Sequence, residues 1–259
     1  MSAPAYGAPN WSRLRMHRNP IRMAVSAGTW ASAWYVFASM FIGLGLFIVI
    51  TTAVPLSIGL VAVWAGLPMM IGTAYFIRGC VAFERARARV LIPEGLPPLE
   101  PDAPSEGFFG LLKTQWTSKT TKRGLVHFVL LGLPLVILDT IVICVWLSLL
   151  AMLTAPIWYR YIPQTFDNGT KAHGLDWGYF PNGPHGSGGW GLWIGSTGAA
   201  LVAAALCLVL LLAWNYVLVA TARMHVNAVH GMITYRDPLA QAKQVLGTPG
   251  PLRSAAGQQ

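Results

Sequence analysis

An apolar run longer than a membrane span constrains this chain more than any other feature. It extends from Gly124 to Ala155, begins after the basic pair Lys122 and Arg123, and ends before an aromatic cluster at 158–161. A helix needs about 20 apolar residues to cross the hydrocarbon core of a bilayer. Basic residues at one end and aromatic residues at the other are typical of the two membrane interfaces. The run therefore predicts a membrane-spanning helix.

Composition assigns the whole chain to the same class. Hydrophobic residues make up 54% of the 259 residues and charged residues 10%, whereas soluble domains carry about 25% charged residues. The apolar segments predict an all-α integral membrane protein with four transmembrane helices, arranged as two hairpins, and with interfacial amphipathic helices. The first two spans are separated by a very short turn at Pro55.

The predicted organisation has five parts. They are a cytoplasmic tail with an interfacial segment (1–29), a transmembrane hairpin (30–77), a cytoplasmic linker with an interfacial helix (78–123), a second hairpin (124–220) with an extra-cytoplasmic loop (156–190), and a cytoplasmic tail (221–259).

Basic residues predict the orientation. All but Arg160 and Lys171 of the 18 lysines and arginines lie in the two tails and the linker, and cytoplasmic segments carry an excess of such residues. Both termini are therefore predicted to be cytoplasmic. The cytoplasmic basic residues that we expect to contact another protein are Arg78, Arg85, Arg87, Arg89, Lys122 and Arg123.

The two predicted hairpins resemble each other in architecture. Each has an interfacial helix, two spans and a polar exit, and both enter the membrane from the same side under the positive-inside rule. This arrangement predicts a parallel repeat related by an axis along the membrane normal.

Asp139 interrupts the longest apolar run near its middle. A carboxylate at that depth is costly and is by default a functional hypothesis. Asp139 is a candidate for carrying a proton, binding a cation or pairing with a basic residue of a partner. The alternative is a protonated side chain that is hydrogen-bonded to Thr140, Ser148 or a neighbouring helix.

The loop between the last two spans is rich in aromatic residues. It is a candidate site for a ligand, a lipid or an extracellular partner, and the alternative is an interfacial aromatic belt with a capping loop. The candidate binding residues are Trp158, Tyr159, Tyr161, Asp167, Asp176, Trp177, Tyr179 and Trp190. The spacing of His173, Asp176 and His185 matches no metal motif, so we predict no metal site.

Two weaker patterns occur near the last span. Small residues at a spacing of four predict a helix face that allows close packing against another helix; they are Gly191, Gly195, Ala199 and Ala203. His127, His225 and His230 lie near the ends of spans, and we interpret them as interfacial histidines rather than haem ligands. We predict no cofactor.

Three stretches of the chain resemble one known family. They are residues 54–91, 125–143 and 153–163. The matching positions form an Arg-Gly…Glu-Arg segment, a Gly-Leu-Pro-Leu run and a Pro-aromatic-Tyr segment, at Arg78, Gly79, Glu84, Arg85, Gly132 to Leu135 and Pro156 to Tyr159. Over roughly residues 25–232 the chain is similar to the four-helix "putative sensor" domain of actinobacterial membrane proteins.

The resemblance implies a domain that precedes a histidine kinase or stands alone beside transporter and regulator genes. The segment after His230 is too short for a kinase core, so we expect the stand-alone form.

The leading hypothesis is a non-enzymatic sensor-like or accessory protein of the bacterial plasma membrane. It would bind a hydrophobic ligand, lipid or partner and pass its state to another membrane protein, such as a histidine kinase or a transporter. Two alternatives stay open, namely a structural subunit of a larger transporter or respiratory complex, and a small oligomeric transporter that uses Asp139. The basic residues flank apolar runs, so membrane topology explains them better than binding of nucleic acid does.

Overall fold

A computed structural model describes residues 11–92, 96, 99 and 106–233. The two predicted tails at 1–10 and 234–259, and most of the predicted extended linker, lie outside the described residues. The helices are α1 (Pro20–Ala24), α2 (Ala27–Gly59), α3 (Gly66–Leu91), α4 (Gly107–Thr117), α5 (Lys119–Val126), α6 (Gly132–Leu153), α7 (Ala155–Trp158) and α8 (Thr197–Ile233). A π-helical turn, His127–Leu131, joins α5 to α6.

The prediction of four spans is confirmed. Within the described ranges, four helical segments are long and apolar enough to cross a membrane: Ala27–Val63, Gly66–Leu91, Lys119–Leu153 and Thr197–Ile233. Their apolar composition, rather than amphipathic periodicity, is what selects a membrane environment for them.

The turn between the first two spans lies further along the chain than predicted. Helix α2 continues through Pro55 to Gly59, and the chain reverses at Trp64, whose φ of 63° is left-handed. The prediction of a turn at Pro55 is wrong because a membrane helix tolerates a proline when neighbouring groups satisfy the freed backbone. Gly66 follows the turn, and a Cβ there would collide with the backbone at Ser57 and Val61.

The first helices of the two transmembrane hairpins, α2 and α6, pack against each other in opposite directions. Trp30 contacts Trp146, with ring centroids 5.4 Å apart. Further along α2, Phe47 lies against Gly132, where an added Cβ would be 3.7 Å from the Phe47 Cβ. Because residue numbers rise along α2 as they fall along α6, these helices are antiparallel, and the prediction of a parallel repeat is wrong.

The end of α4 and the start of α5, which precede the second hairpin, lie beside the first half of α3. The Trp116 indole N–H donates to the Met70 carbonyl over 3.1 Å, and the Arg78 guanidinium donates to the Ser118 hydroxyl over 3.0 Å. Contacts between helices do not show on which side of the membrane a terminus lies. The cytoplasmic location of both termini, which rests on the distribution of basic residues, therefore stays a prediction.

The segment before α2 packs against protein. Asn19 caps α1, Leu14 and Met23 are buried, and the Tyr216 hydroxyl donates to the His17 carbonyl over 2.7 Å. The Arg223 Nε donates to the Leu14 carbonyl over 3.0 Å. The predicted interfacial segment is therefore bound to α8 through residues 14–23.

The predicted loop between the last two spans contains strands. They are β1 (Pro163–Thr165), β2 (Lys171–His173), β3 (Leu175–Tyr179) and β4 (Trp190–Ile194), and they form two antiparallel pairs, β1–β2 and β3–β4. Gly178 opposes Gly191, and a Cβ on either glycine would collide with the facing strand.

These strands show that the predicted helix face of small residues from Gly191 to Ala203 is only partly helical. Gly191 lies in β4 and Gly195 lies between β4 and α8, so neither belongs to a helix. A four-residue spacing does not distinguish a helix from a strand that needs glycine for close approach. Ala199 and Ala203 are on α8 and pack within the chain, against the small core formed by Tyr159, Ile194 and Ala200.

Candidate functional site

Polar side chains from all four long helices meet inside the bundle. We call this group the polar cluster, and its members are Tyr35, Ser39, Glu84, Arg87, Asp139 and His225. Asp139 has no exposed surface, and the other members are buried except for Arg87, which is partly buried. Polar groups buried in a membrane bundle are costly unless they are paired, so the pairings within the cluster decide what it can do.

Asp139 is paired with a histidine of the same chain. The Asp139 Oδ1 lies 2.7 Å from the His225 Nε2, which joins α6 to α8. Thr140, one of the predicted partners, instead donates to the Val136 carbonyl over 2.7 Å. Of the predicted alternatives, the structure therefore shows the hydrogen bond to a neighbouring helix.

Glu84 and Arg87 form the second pair. The Arg87 Nη1 donates to the Glu84 Oε1 over 2.7 Å, and the exposed fractions of the Arg87 and Glu84 side chains are 13% and 10%. The Arg87 Nη2 also donates to the Ser39 Oγ over 2.7 Å and to the Tyr35 carbonyl over 3.3 Å. Arg87 therefore ties α3 to α2, because the chain supplies internal acceptors for its donors, and its place on a cytoplasmic contact surface stays a prediction.

Two oxygen atoms of the cluster have no partner among the described residues. They are the Asp139 Oδ2 and the Tyr35 hydroxyl, and both are fully shielded from solvent. A cavity of about 30 Å³ is lined by Ser39, Glu84, Arg87, Asp139 and His225 among others. A polar cavity of this size is large enough for a water molecule.

The π-helical turn forms one wall of that cavity. His127 and Phe128, its first residues, line the cavity together with Gly132. Single π turns inside α-helices occur frequently at functional sites. Pro134, which lacks an N–H donor, lies two residues after Gly132 and favours such an irregular hydrogen-bonding pattern.

The other predicted basic residues are divided among several contacts. Arg78 donates to Ser118, and Arg85 donates to the Leu96 carbonyl over 3.3 Å. Lys122 and Arg123 line an open groove between α5 and the end of α8, and Arg89 is exposed. The structure therefore does not bring the predicted basic set together on one surface.

One side of the β3–β4 hairpin exposes large apolar side chains. Trp177 faces Leu192 and Tyr179 faces Trp190, so the alternation of strand side chains places all four on one side. We call them the aromatic face. The exposed fractions of Trp177, Leu192, Tyr179 and Trp190 are 70%, 55%, 53% and 73%.

The remaining predicted loop residues have structural contacts or lie apart. The buried Tyr159 hydroxyl is 2.8 Å from the Thr197 hydroxyl, and the Trp158 indole donates to the Thr154 hydroxyl over 3.0 Å. Tyr161 is exposed. The Tyr179 hydroxyl donates to the Asp167 carboxylate over 3.5 Å, while Asp176 faces Trp193 across the β3–β4 pair.

A protein-family model described as "Putative sensor" matches residues 35–233. The chain belongs to that family. The matched range contains every member of the polar cluster and the whole aromatic face, so both candidate sites lie inside the Putative sensor domain. Comparisons with curated proteins and with solved structures give no match.

Sequence reasoning identified Asp139 but not its partners. The sequence predicts His225 to be an interfacial histidine, places Glu84 in the family motif, and places Arg87 among the basic residues that contact another protein. An available signal was the i, i+3 spacing of Glu84 and Arg87, which places the two side chains on one helix face. The pairing of Asp139 with His225 depends on the offset between α6 and α8, which no motif encodes.

Proposed function

We propose that the protein is a non-enzymatic, sensor-like component of the bacterial plasma membrane. In this proposal the aromatic face binds a hydrophobic ligand, a lipid or a partner protein. Helix α8 carries the resulting change to the polar cluster and to the groove lined by Lys122 and Arg123. A second membrane protein, such as a histidine kinase or a transporter, would respond to that change.

The observation that carries the proposal is the exposure of the aromatic face. Trp and Tyr supply large contact areas at low entropic cost and dominate the energetics of many interfaces. Here three of them stand together on a β-hairpin whose backbone is fixed by the close Gly178–Gly191 approach. Membership of the Putative sensor family supports a sensor-like role.

The aromatic face is joined to the bundle through a short link between β4 and α8. Ile194, the last residue of β4, is buried against Tyr159 and Ala200, and Thr197 begins α8. From Thr197 to His225 the helix is continuous, a length of roughly 42 Å at 1.5 Å per residue. In this proposal the continuous helix carries a displacement of the β-hairpin to His225.

The proposal predicts that the aromatic face is required for association. A Trp177→Ala/Tyr179→Ala double variant removes two exposed aromatic side chains without touching the bundle, and two such residues at an interface contribute about 2–4 kcal/mol together. We expect at least a roughly tenfold loss of the stoichiometric proteins or lipids that co-purify with tagged protein in mild detergent. Mass spectrometry of the purified material measures this loss.

The matched control is Lys171→Ala/His173→Ala, which changes two exposed residues of β2 that lie outside the aromatic face. It should co-purify the same molecules as the wild-type chain. Equal recovery from the aromatic double variant and from this control would contradict the proposal.

A structural subunit of a larger membrane complex is the second candidate. It is favoured by an apolar groove of about 210 Å³ between α2 and α6, lined by Trp30, Trp34, Phe37 and Trp146 among others. A neighbouring membrane helix would fill such a groove. In the same experiment, loss of co-purifying proteins from Trp34→Ala, but not from the aromatic double variant, would support this candidate.

A further inference from the structure

The net charge of the polar cluster depends on whether the Asp139–His225 pair has bound a proton. Glu84 is paired with Arg87, so this pair is neutral overall. Asp139 is paired with His225, an imidazole that is charged only when protonated. The cluster therefore carries one net negative charge when His225 is neutral, and none when the Asp139–His225 pair has bound a proton.

The geometry points to a proton-binding site: we propose that the Asp139–His225 pair takes up one proton from water inside the bundle. A hydronium ion delivers the proton, and water is the product. The new bond is N–H at the His225 Nδ1, because the Nε2 faces the Asp139 Oδ1, and the protonated pair is neutral overall. The inference does not depend on which molecule binds to the aromatic face.

The unpartnered oxygen atoms support this assignment. The Asp139 Oδ2 is completely buried and has no hydrogen-bond partner among the described residues. An unsatisfied carboxylate oxygen costs several kcal/mol in an apolar interior, and a positive charge on the neighbouring imidazole or a bound water molecule offsets that cost. The adjoining cavity of about 30 Å³ has room for a water molecule, but not for an organic ligand.

The ionisable groups around the pair come from every packed element. Tyr35 faces it from α2, with ring centroids of Tyr35 and His225 6.1 Å apart. Glu84 and Arg87 face it from α3, and His127 faces it from the π turn. Arg87 is engaged by Glu84, Ser39 and Tyr35, so its charge is already compensated when the pair changes its own.

One residue connects the polar cluster to an open groove. His127 lines the small cavity beside the pair, and it also lines the open groove of about 470 Å³ that contains Lys122 and Arg123. His127 therefore lies between the open groove and the small cavity beside the Asp139–His225 pair.

The test follows the histidine imidazoles of the full chain by NMR with 15N-labelled histidine, in micelles, from about pH 5 to about pH 8. The His225 signal is assigned by its loss in His225→Gln. We expect the wild-type His225 signal to move between its neutral and protonated positions, and to lose that movement in Asp139→Asn. The exposed His173 and His185 on the β-hairpins are internal references whose titration should be the same in every variant.

Two further variants keep the result decisive if Asp139→Asn does not fold. Asp139→Glu retains a carboxylate and should retain the titration, and Tyr35→Phe removes a hydroxyl without a described partner and should also retain it. A wild-type His225 signal that stays fixed over the whole range would overturn the proposal. A His225 signal that titrates identically in the wild type and Asp139→Asn would overturn it as well.

Discussion

Replacing Arg87 with methionine is expected to destabilise the fold by about 3–5 kcal/mol, the usual effect of removing one partner of a buried ion pair. The variant leaves the Glu84 carboxylate buried without its counter-ion. It also removes the donors to Ser39 and to the Tyr35 carbonyl, which tie α3 to α2. Unfolding in mixed detergent micelles containing increasing sodium dodecyl sulfate measures the change.

Two controls separate this effect from a general loss of charge. Arg89→Met changes an exposed arginine two residues further along α3, and we expect a change of less than about 0.5 kcal/mol. In the double variant Glu84→Leu/Arg87→Met no uncompensated charge remains, so most of the lost stability should return. An Arg87→Met variant as stable as Arg89→Met would contradict the described pairing.

Replacing Gly43 with leucine is expected to destabilise the bundle by about 1–3 kcal/mol, the typical cost of overpacking. A Cβ at Gly43 would lie 3.0 Å from the Val136 Cγ2, closer than ordinary van der Waals contact. The longer side chain would also enter the small cavity that Gly43 lines. Helices α2 and α6 would have to separate, and the same detergent titration measures the loss.

Gly45→Leu provides a matched comparison on the same helix. A Cβ at Gly45 has no neighbouring atom within 4 Å, and leucine favours a helix over glycine by up to about 1 kcal/mol. We therefore expect Gly45→Leu to be neutral or slightly stabilising. Equal destabilisation by both substitutions would show that α2 and α6 do not meet at Gly43.

The sequence allowed the membrane class and the number of spans to be predicted, because both follow from the length and composition of apolar runs. It did not allow the direction of packing to be predicted. Charge distribution suggested that α2 and α6 are parallel, whereas their contacts, such as Phe47 against Gly132, make them antiparallel. Packing direction depends on which small residues face each other, and the chain contains 27 glycines.

The candidate sites were predictable to different degrees. Asp139 was predictable because it is a charged residue within an apolar run. The aromatic residues of the aromatic face were also predicted as candidates, but their position on one side of a hairpin was not. Their common side follows from the β3–β4 register, and the short strands were hidden in a glycine-rich segment. The internal contacts of Arg87 were not predictable, because a basic residue near the end of a span usually faces water and only the tertiary structure shows Glu84 and Ser39 beside it.

The measurement that tests the account most directly is a disulfide between Phe47→Cys and Gly132→Cys, in a chain whose Cys80, Cys144 and Cys207 are replaced by alanine. The Cβ separation of 3.7 Å at these positions lies within the range that a disulfide requires. The antiparallel bundle around the polar cluster predicts rapid intramolecular cross-linking of this pair under mild oxidation. It predicts no cross-linking of Gly45→Cys/Gly132→Cys, since Gly45 has no such neighbour. If the Phe47 pair stays reduced, the two hairpins do not pack as described, and the polar cluster that they enclose is not formed.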